Sequence, residues 1–194
     1  MRTIYHDLIP GLWVVWVIGW MISGLRTKRV LRSEGAASRL LHLIPLLLGI
    51  ILLTFQRAGG PWLAMRVYPQ TPWSFWIGTA LVAVGLIFTA WARIHLAGNW
   101  SGTVTLKQDH TLTRTGPYRL VRHPIYTGLL IAILGNAIAD AEWRGLVAFA
   151  LVTLSFLRKL KVEERFLTIQ FGDAYARYRA EVPALIPWTT ARRR

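Results

Sequence analysis

The sequence predicts an all-α integral membrane protein: about five transmembrane helices, a cytoplasmic loop after the third, and a C-terminal cytoplasmic helix. Three observations predict this. Of 194 residues, 54% are hydrophobic and only 16% charged, less charge than a soluble domain of this size carries. The apolar residues are bunched into five runs, Leu8–Leu25, Leu40–Phe55, Trp73–Ala97, Ile125–Ala139 and Trp143–Leu157. Basic residues also alternate in density from one inter-run segment to the next, as the positive-inside rule requires.

The elements follow in order. Leu8–Leu25 is long enough to span a bilayer, with no convincing cleavage site after it, so it reads as a retained helix. Segment 26–39 carries Arg26, Lys28, Arg29, Arg32 and Arg39 and reads as a basic, partly helical cytoplasmic loop. Leu40–Phe55, Ile125–Ala139 and Trp143–Leu157 are short alone and are extended by flanks such as Arg57, Arg158 and Lys159, whose stems can snorkel; the alternative is that one of them is re-entrant or interfacial. Segment 56–72 holds Gly59-Gly60-Pro61, Pro69 and Pro72 among tryptophans and a tyrosine, an outer loop with interfacial aromatics. Trp73–Ala97 is a full span that ends at Gly98-Asn99. Thr103–Leu106 suits a short extended piece, and turns follow at Gln108–His110 and Thr115–Pro117. Pro124 starts the fourth helix. Trp143–Leu157 continues to Gln170 as an amphipathic helix, Gly172-Asp173 breaks it, and Ala174–Ala180 resumes. Two parts result: residues 1–97 with three spans, and residues 98–194 with the polar loop, a helical hairpin and the C-terminal helices.

The net charge is +14, from 23 Lys+Arg against 9 Asp+Glu. Its segregation by loop assigns it to membrane topology and anionic lipid, not to nucleic acid. The N-terminus falls outside and the C-terminus in the cytoplasm, the parity that five crossings give. The absence of cysteine excludes disulfides, thiolate metal sites and a Cys nucleophile. The histidines and acids show no metal-ligand spacing, so no metal is expected.

The chemical centre is the block Arg114–Gly128, basic, aromatic and turn-rich, set against an apolar run. Ionisable groups at a bilayer are costly and mark sites. His123-Pro124 and the tyrosines Tyr118 and Tyr126 suit a polar cup for a nucleotide-like group; an N-terminal helix cap with a snorkelling Arg explains the same residues. Glu163 and Glu164 lie on the helix that leaves the last span, with Lys159 one turn before Glu163. They suit either a surface ion pair or a ligand for a diol, ammonium or sulfonium. His95 and His110 read as structural hydrogen-bonding groups. Neither a dinucleotide fingerprint nor a phosphate-binding loop is present.

Ordered matches run from Gly98-Asn99-Trp100-Ser101 through His110-Thr111-Leu112, Thr115–Tyr118 and Arg122–Gly128. They continue through Glu163-Glu164, Phe171–Tyr175 and Tyr178 to Val182-Pro183 and Ile186-Pro187. In this order the chain resembles the isoprenylcysteine carboxyl methyltransferase family, within the integral-membrane methyltransferases that include phospholipid N-methyltransferases. The resemblance covers roughly Leu96–Pro187, about half the chain. It implies S-adenosyl-L-methionine as methyl donor and a lipophilic small-molecule or lipid acceptor, most readily a carboxylate. Carried over by position, it implies a cofactor-binding loop of His110, Thr111, Leu112 and Thr113, with Tyr118 on the adenosine. His123, Pro124, Ile125 and Tyr126 then form a second wall, Glu163 and Glu164 contribute from the C-terminal helix, and Thr103 adds a polar contact. Thr113 departs from the family's Val. Lys159, with Arg158 adjacent, stands where the eukaryotic enzymes use Arg, keeping the charge without the bidentate fork. Lys159, Arg158 and Arg122 are thus the expected acceptor-orienting groups. A phospholipid-amine N-methyltransferase and a non-catalytic membrane sensor or transporter are the rival readings.

Overall fold

The computed structural model describes residues 2–24, 30–33, 35–96, 105–107 and 112–187. Among the described residues six α-helices carry the architecture: α1 (Arg2–Gly24), α2 (Ala36–Thr54), α3 (Pro72–Leu96), α4 (Pro124–Asp140), α5 (Trp143–Phe171) and α6 (Asp173–Glu181). A two-stranded antiparallel ribbon joins β1 (Val30–Ser33) to β2 (Thr105–Lys107), and Gly116–Arg119 forms a 3-10 turn. Segment 26–39 is partly helical, with residues 36–39 opening α2, and Val30–Ser33 within it form the first strand of the ribbon. Helix α2 starts at Ala36, and Val30–Ser33 pair antiparallel with Thr105–Lys107.

Helices α3 and α4 pack backbone to backbone. A Cβ on Gly85 would come 2.4 Å from the Gly128 carbonyl oxygen, and one on Gly128 would come 2.6 Å from that of Gly85. Two turns away the same reciprocity holds between Gly78 and Gly135, at 2.5 Å each way. Glycines seven apart on each helix therefore form one seam, the small-residue packing that lets membrane helices approach closely. Helix α2 packs on α5 in a similar way: a Cβ on Gly49 would meet Val152 Cγ2 at 2.7 Å, and the Ser155 hydroxyl donates to the His42 carbonyl at 2.6 Å.

Helix α1 is tied by two indoles. Trp13 donates to Asn136 Oδ1 on α4 at 2.9 Å, and Trp16 donates to Thr89 Oγ1 on α3 at 2.6 Å. Its opposite face is apolar and bare, with Val15 71% and Met21 69% exposed. Helix α2 likewise exposes Leu40, Leu41, Ile44 and Leu47. In water such faces would drive aggregation, whereas hydrocarbon suits them. Among the described residues α2 and α3 are long and apolar enough to cross a membrane, and Asp7–Ser23 and Pro124–Asp140 are shorter apolar helical stretches.

The turn between α4 and α5 puts Ala141 at φ 56°, in the left-handed region. Arg144 holds this end together. It is buried, donates to Asp140 Oδ2 at 3.1 Å, pairs with Glu142, and donates to the Leu52 carbonyl at the end of α2 at 3.0 Å. The 55–71 segment adds backbone hydrogen bonds from Val67 to Ala141 and from Arg144 to Leu63, both 2.8 Å.

Candidate functional site

The opposite end of α4 carries the polar cluster. Pro117 lies within the 3-10 turn, and Tyr118 is buried there with its carbonyl accepting from the Tyr178 hydroxyl at 2.6 Å. The chain then meets the C-terminal segment. Arg122 N–H donates to the Pro183 carbonyl at 2.8 Å, His123 N–H to that of Ala184 at 3.0 Å, and the Thr127 hydroxyl to that of Leu185 at 2.8 Å. Tyr175, Tyr178 and Val182 pack with Leu112 beneath this junction. The residues after α6 thus clamp the Arg122-His123-Pro124 corner in place.

The side chains of that corner turn inward. Arg122 donates through Nε and Nη2 to Glu164 Oε1, at 2.9 and 2.5 Å, and through Nη1 to the Val182 carbonyl. This removes the snorkelling alternative, since the guanidinium faces protein and not an interface. His123 lies between both acids, Nε2 at 3.3 Å from Glu164 and Nδ1 at 3.5 Å from Glu163. The Tyr126 hydroxyl donates to Glu163 at 2.5 Å. Its ring stacks on His123 (centroids 5.6 Å, planes 7° apart) and on Phe156 (4.8 Å, 25°), with the Lys159 ammonium 5.7 Å from the ring centroid.

Electrostatics follow from this geometry. Burial alone pushes the His123 imidazole down, but hydrogen bonds to Glu163 and Glu164 and their charge outweigh it and hold its pKa above the ordinary value. Burial raises Glu163, and His123, Lys159 and Tyr126 together bring it below the usual carboxylate range. Glu164 is likewise raised by burial but lowered further by His123 and Arg122, to about 2. Burial, Glu163 and Tyr178 push the Tyr118 phenol far up, so it stays neutral. The cluster is therefore two carboxylates held ionised around an imidazole that favours its cation.

A cavity of about 1250 Å³ opens from this cluster. Tyr118, Arg122, His123, Tyr126, Lys159 and Glu163 line its polar end, along with Pro124 and Ile125. Helical periodicity selects the α5 residues. Phe156, Lys159, Glu163, Phe166 and Leu167 lie at three-, four- and seven-residue steps on one face and all reach the wall. Arg158, one residue from Lys159, is turned away; its Nη2 lies 3.5 Å from the Ser38 carbonyl on α2. Glu164, one residue from Glu163, faces Arg122 instead of the wall. Leu112 packs in the C-terminal cluster, and Thr113 also lies outside the wall. Thr103, His110 and Thr111 lie outside the described residues. Sequence reasoning did not single out the aromatic lining residues Trp16, Trp20, Phe156 and Phe166. For Phe156 and Phe166 the signal was available in their helical phase with Lys159 and Glu163. Among the described residues no group of three or more His, Cys, Asp or Glu could hold a metal.

Fold and site together define a helical bundle with bare apolar outer faces and a partly open cavity capped at one end by paired charges. The family model described as phospholipid methyltransferase matches residues 73–174, just over half of the chain. The chain belongs to that family. Its similarity to isoprenylcysteine methyltransferases is borne out by relatives. A protein-S-isoprenylcysteine O-methyltransferase of Schizosaccharomyces pombe is 33% identical over 55% of this chain and 46% of its own length. Protein-S-isoprenylcysteine O-methyltransferase B of Arabidopsis thaliana is 28% identical over 62% of this chain and 64% of its own. Methanethiol S-methyltransferase 2 of Bradyrhizobium diazoefficiens is 41% identical over 40% of this chain and 29% of its own. The chain thus spans between about a third and two thirds of these proteins.

Proposed function

We propose that this protein is an integral-membrane methyltransferase that uses S-adenosyl-L-methionine to methylate a lipophilic acceptor, most readily a carboxylate. One observation carries the reading. Glu163, His123, Tyr126 and Lys159 share the polar end of a cavity whose remaining wall is largely apolar. The described residues suit the donor: an ionised Glu163 carboxylate on the cavity wall, with the Phe156 ring also lining it, attracts a compact organic cation. Tyr118, His123, Pro124, Ile125, Tyr126 and Glu163 would hold it, with the preceding loop from Thr103 to Thr113 completing the cup. When bound, S-adenosyl-L-methionine supplies a methyl group activated by a sulfonium.

The chain's own residues position and desolvate. Arg122 and Glu164 fix the His123 corner, and His123 and Tyr126 together orient the Glu163 carboxylate. Lys159, on the cavity wall beside Tyr126, orients an anionic acceptor without a proton transfer, because a carboxylate is already a nucleophile. The apolar wall excludes water, which favours transfer to the acceptor over loss to hydrolysis. An amine acceptor must instead arrive neutral and needs a base. His123 is held toward its cation and both acids are engaged, which favours the carboxylate.

On this reading all five apolar runs cross the bilayer, the N-terminus lies outside, and the charged cluster faces the cytoplasm. Residues 1–97 form the lipid-facing half and residues 98–194 the catalytic half. The test is Glu163→Gln, read by calorimetry with S-adenosyl-L-methionine and by radiolabelled methyl transfer in membranes. Loss of both, with the melting profile kept within a few degrees, is expected. Undiminished donor binding would refute the assignment. Base-labile label in the product would mark a carboxyl ester, and base-stable label a methylated amine.

A further inference from the structure

The cavity does not end in the apolar middle of the bundle. It continues past Trp13, Leu129 and Ile133 to a second polar group at the other end of α4, where Gln70, Arg66, Asp140 and Glu142 line it. From Pro124 to Asp140 is 17 residues of helix, so the two polar ends stand roughly 25 Å apart at ~1.5 Å per residue. The approach to this far end is polar too. Asn136 lines the cavity, accepts from Trp13, and places its amide 3.5 Å from Asp140 Oδ2.

A plain hydrocarbon tail does not suit that end. It would cover a carboxylate, an amide and a guanidinium without replacing the hydrogen bonds that water gives them, at a desolvation cost. Hydrogen-bonding capacity remains there. Both side-chain contacts of Asp140 described above use Oδ2, and Gln70 spends its amide nitrogen on the Ala139 carbonyl at 2.8 Å, which leaves its oxygen as an acceptor. The charges lining or bracing this end also balance: Asp140 and Glu142 against Arg66 and Arg144. A neutral end with spare acceptors fits an uncharged hydrogen-bond donor better than it fits an ion.

We propose that the far end is a second recognition site, which receives an uncharged hydroxyl-type group at the tip of the acceptor's chain. The acceptor is then a two-headed amphiphile, with the reacting group at Lys159 and Glu163 and a polar terminus at Gln70 and Asp140. This rests on the reading that the acceptor occupies the cavity with its reacting group at the Glu163 end.

The experiment measures binding alone, with no methyl donor present, so its outcome is separable from that of the methyl-transfer assay. Purified protein in a non-ionic detergent is titrated with stearic acid and with its ω-hydroxy counterpart. The ω-hydroxy acid is expected to bind about tenfold more tightly, a difference of about 1.4 kcal/mol. Gln70→Ala combined with Asp140→Ala should erase that difference, with the affinity for stearic acid equal or higher because the tail no longer covers the carboxylate and the amide. Should the double variant fail to fold, the comparison of the two acids on the wild-type protein still decides. Equal affinity for both acids, no binding of either, or a preference that survives in a folded double variant would each overturn the proposal.

Discussion

His123 is held by charge as much as by packing, and its neighbours make the cluster sensitive to pH in both directions. Glu164 titrates at about 2 against an ordinary 4.5, so its contribution to stability is fully present above 4.5 and is lost as pH falls through about 2. His123 is raised above its ordinary 6.5. Its contribution is complete below 6.5 and fades as pH rises through the raised value. Between 4.5 and 6.5 both contributions are present, and the melting temperature should be highest there. In His123→Gln the decline on the alkaline side should flatten while the acid limb weakens but persists through Arg122, which a melting series across pH in detergent reads directly. Glu164→Gln leaves the Arg122 guanidinium buried without its carboxylate, and removing one member of a buried pair costs about 3 kcal/mol. That loss should appear in denaturant or thermal unfolding.

Glycine does two different jobs in these helices, and the difference is measurable. Gly85 sits in the α3–α4 seam, where an added Cβ meets the Gly128 carbonyl at 2.4 Å and the Ala132 amide nitrogen at 2.6 Å. Those are backbone atoms that cannot rotate aside, so Gly85→Ala should force the helices apart and cost ~1–3 kcal/mol. Gly19, on α1, has nothing within 4 Å of an added Cβ. There alanine only improves helix propensity, and Gly19→Ala should be neutral or stabilising by up to ~1 kcal/mol. Thermal melts of the two variants side by side test the seam. The helices themselves were legible in the sequence, because apolar runs bounded by Gly, Pro and charge have few other outcomes. The seam was not, since glycines seven apart show which face of a helix is small without showing which helix they meet. Phase limited the site in the same way. Glu163 and Glu164 are equivalent as letters, as are Arg158 and Lys159. Only the packing of α5, with Phe156 stacked on Tyr126 and Leu160 buried, directs one of each pair to the cavity. The Arg122-His123-Pro124 corner was visible as a motif, but its clamp by Pro183 and Ala184 is a contact about sixty residues apart in sequence that no local pattern encodes.

At the scale of the whole molecule the proposed function predicts one orientation. On the proposed function the Glu163 end meets a water-soluble donor and the apolar wall a membrane-dissolved acceptor, which would set that end at the cytoplasmic surface. The alternating basic segments predict the same orientation. Three helices, α3, α4 and α5, separate the loop before Pro72 from α6. If each crosses, that loop and α6 lie on opposite faces of the membrane. The absence of cysteine makes this directly testable, because any introduced thiol is the only one in the chain. Ala64, in the 55–71 segment, and Ala176, on α6, are both exposed and suit the purpose as Ala64→Cys and Ala176→Cys. In sealed, right-side-out cells an impermeant maleimide should label the first and spare the second until the membrane is permeabilised; inverted vesicles should reverse the pattern. Labelling of both sites from one side would mean an even number of crossings between them. One of the two shorter spans would then lie in the interface, and the donor and acceptor routes proposed above would need redrawing.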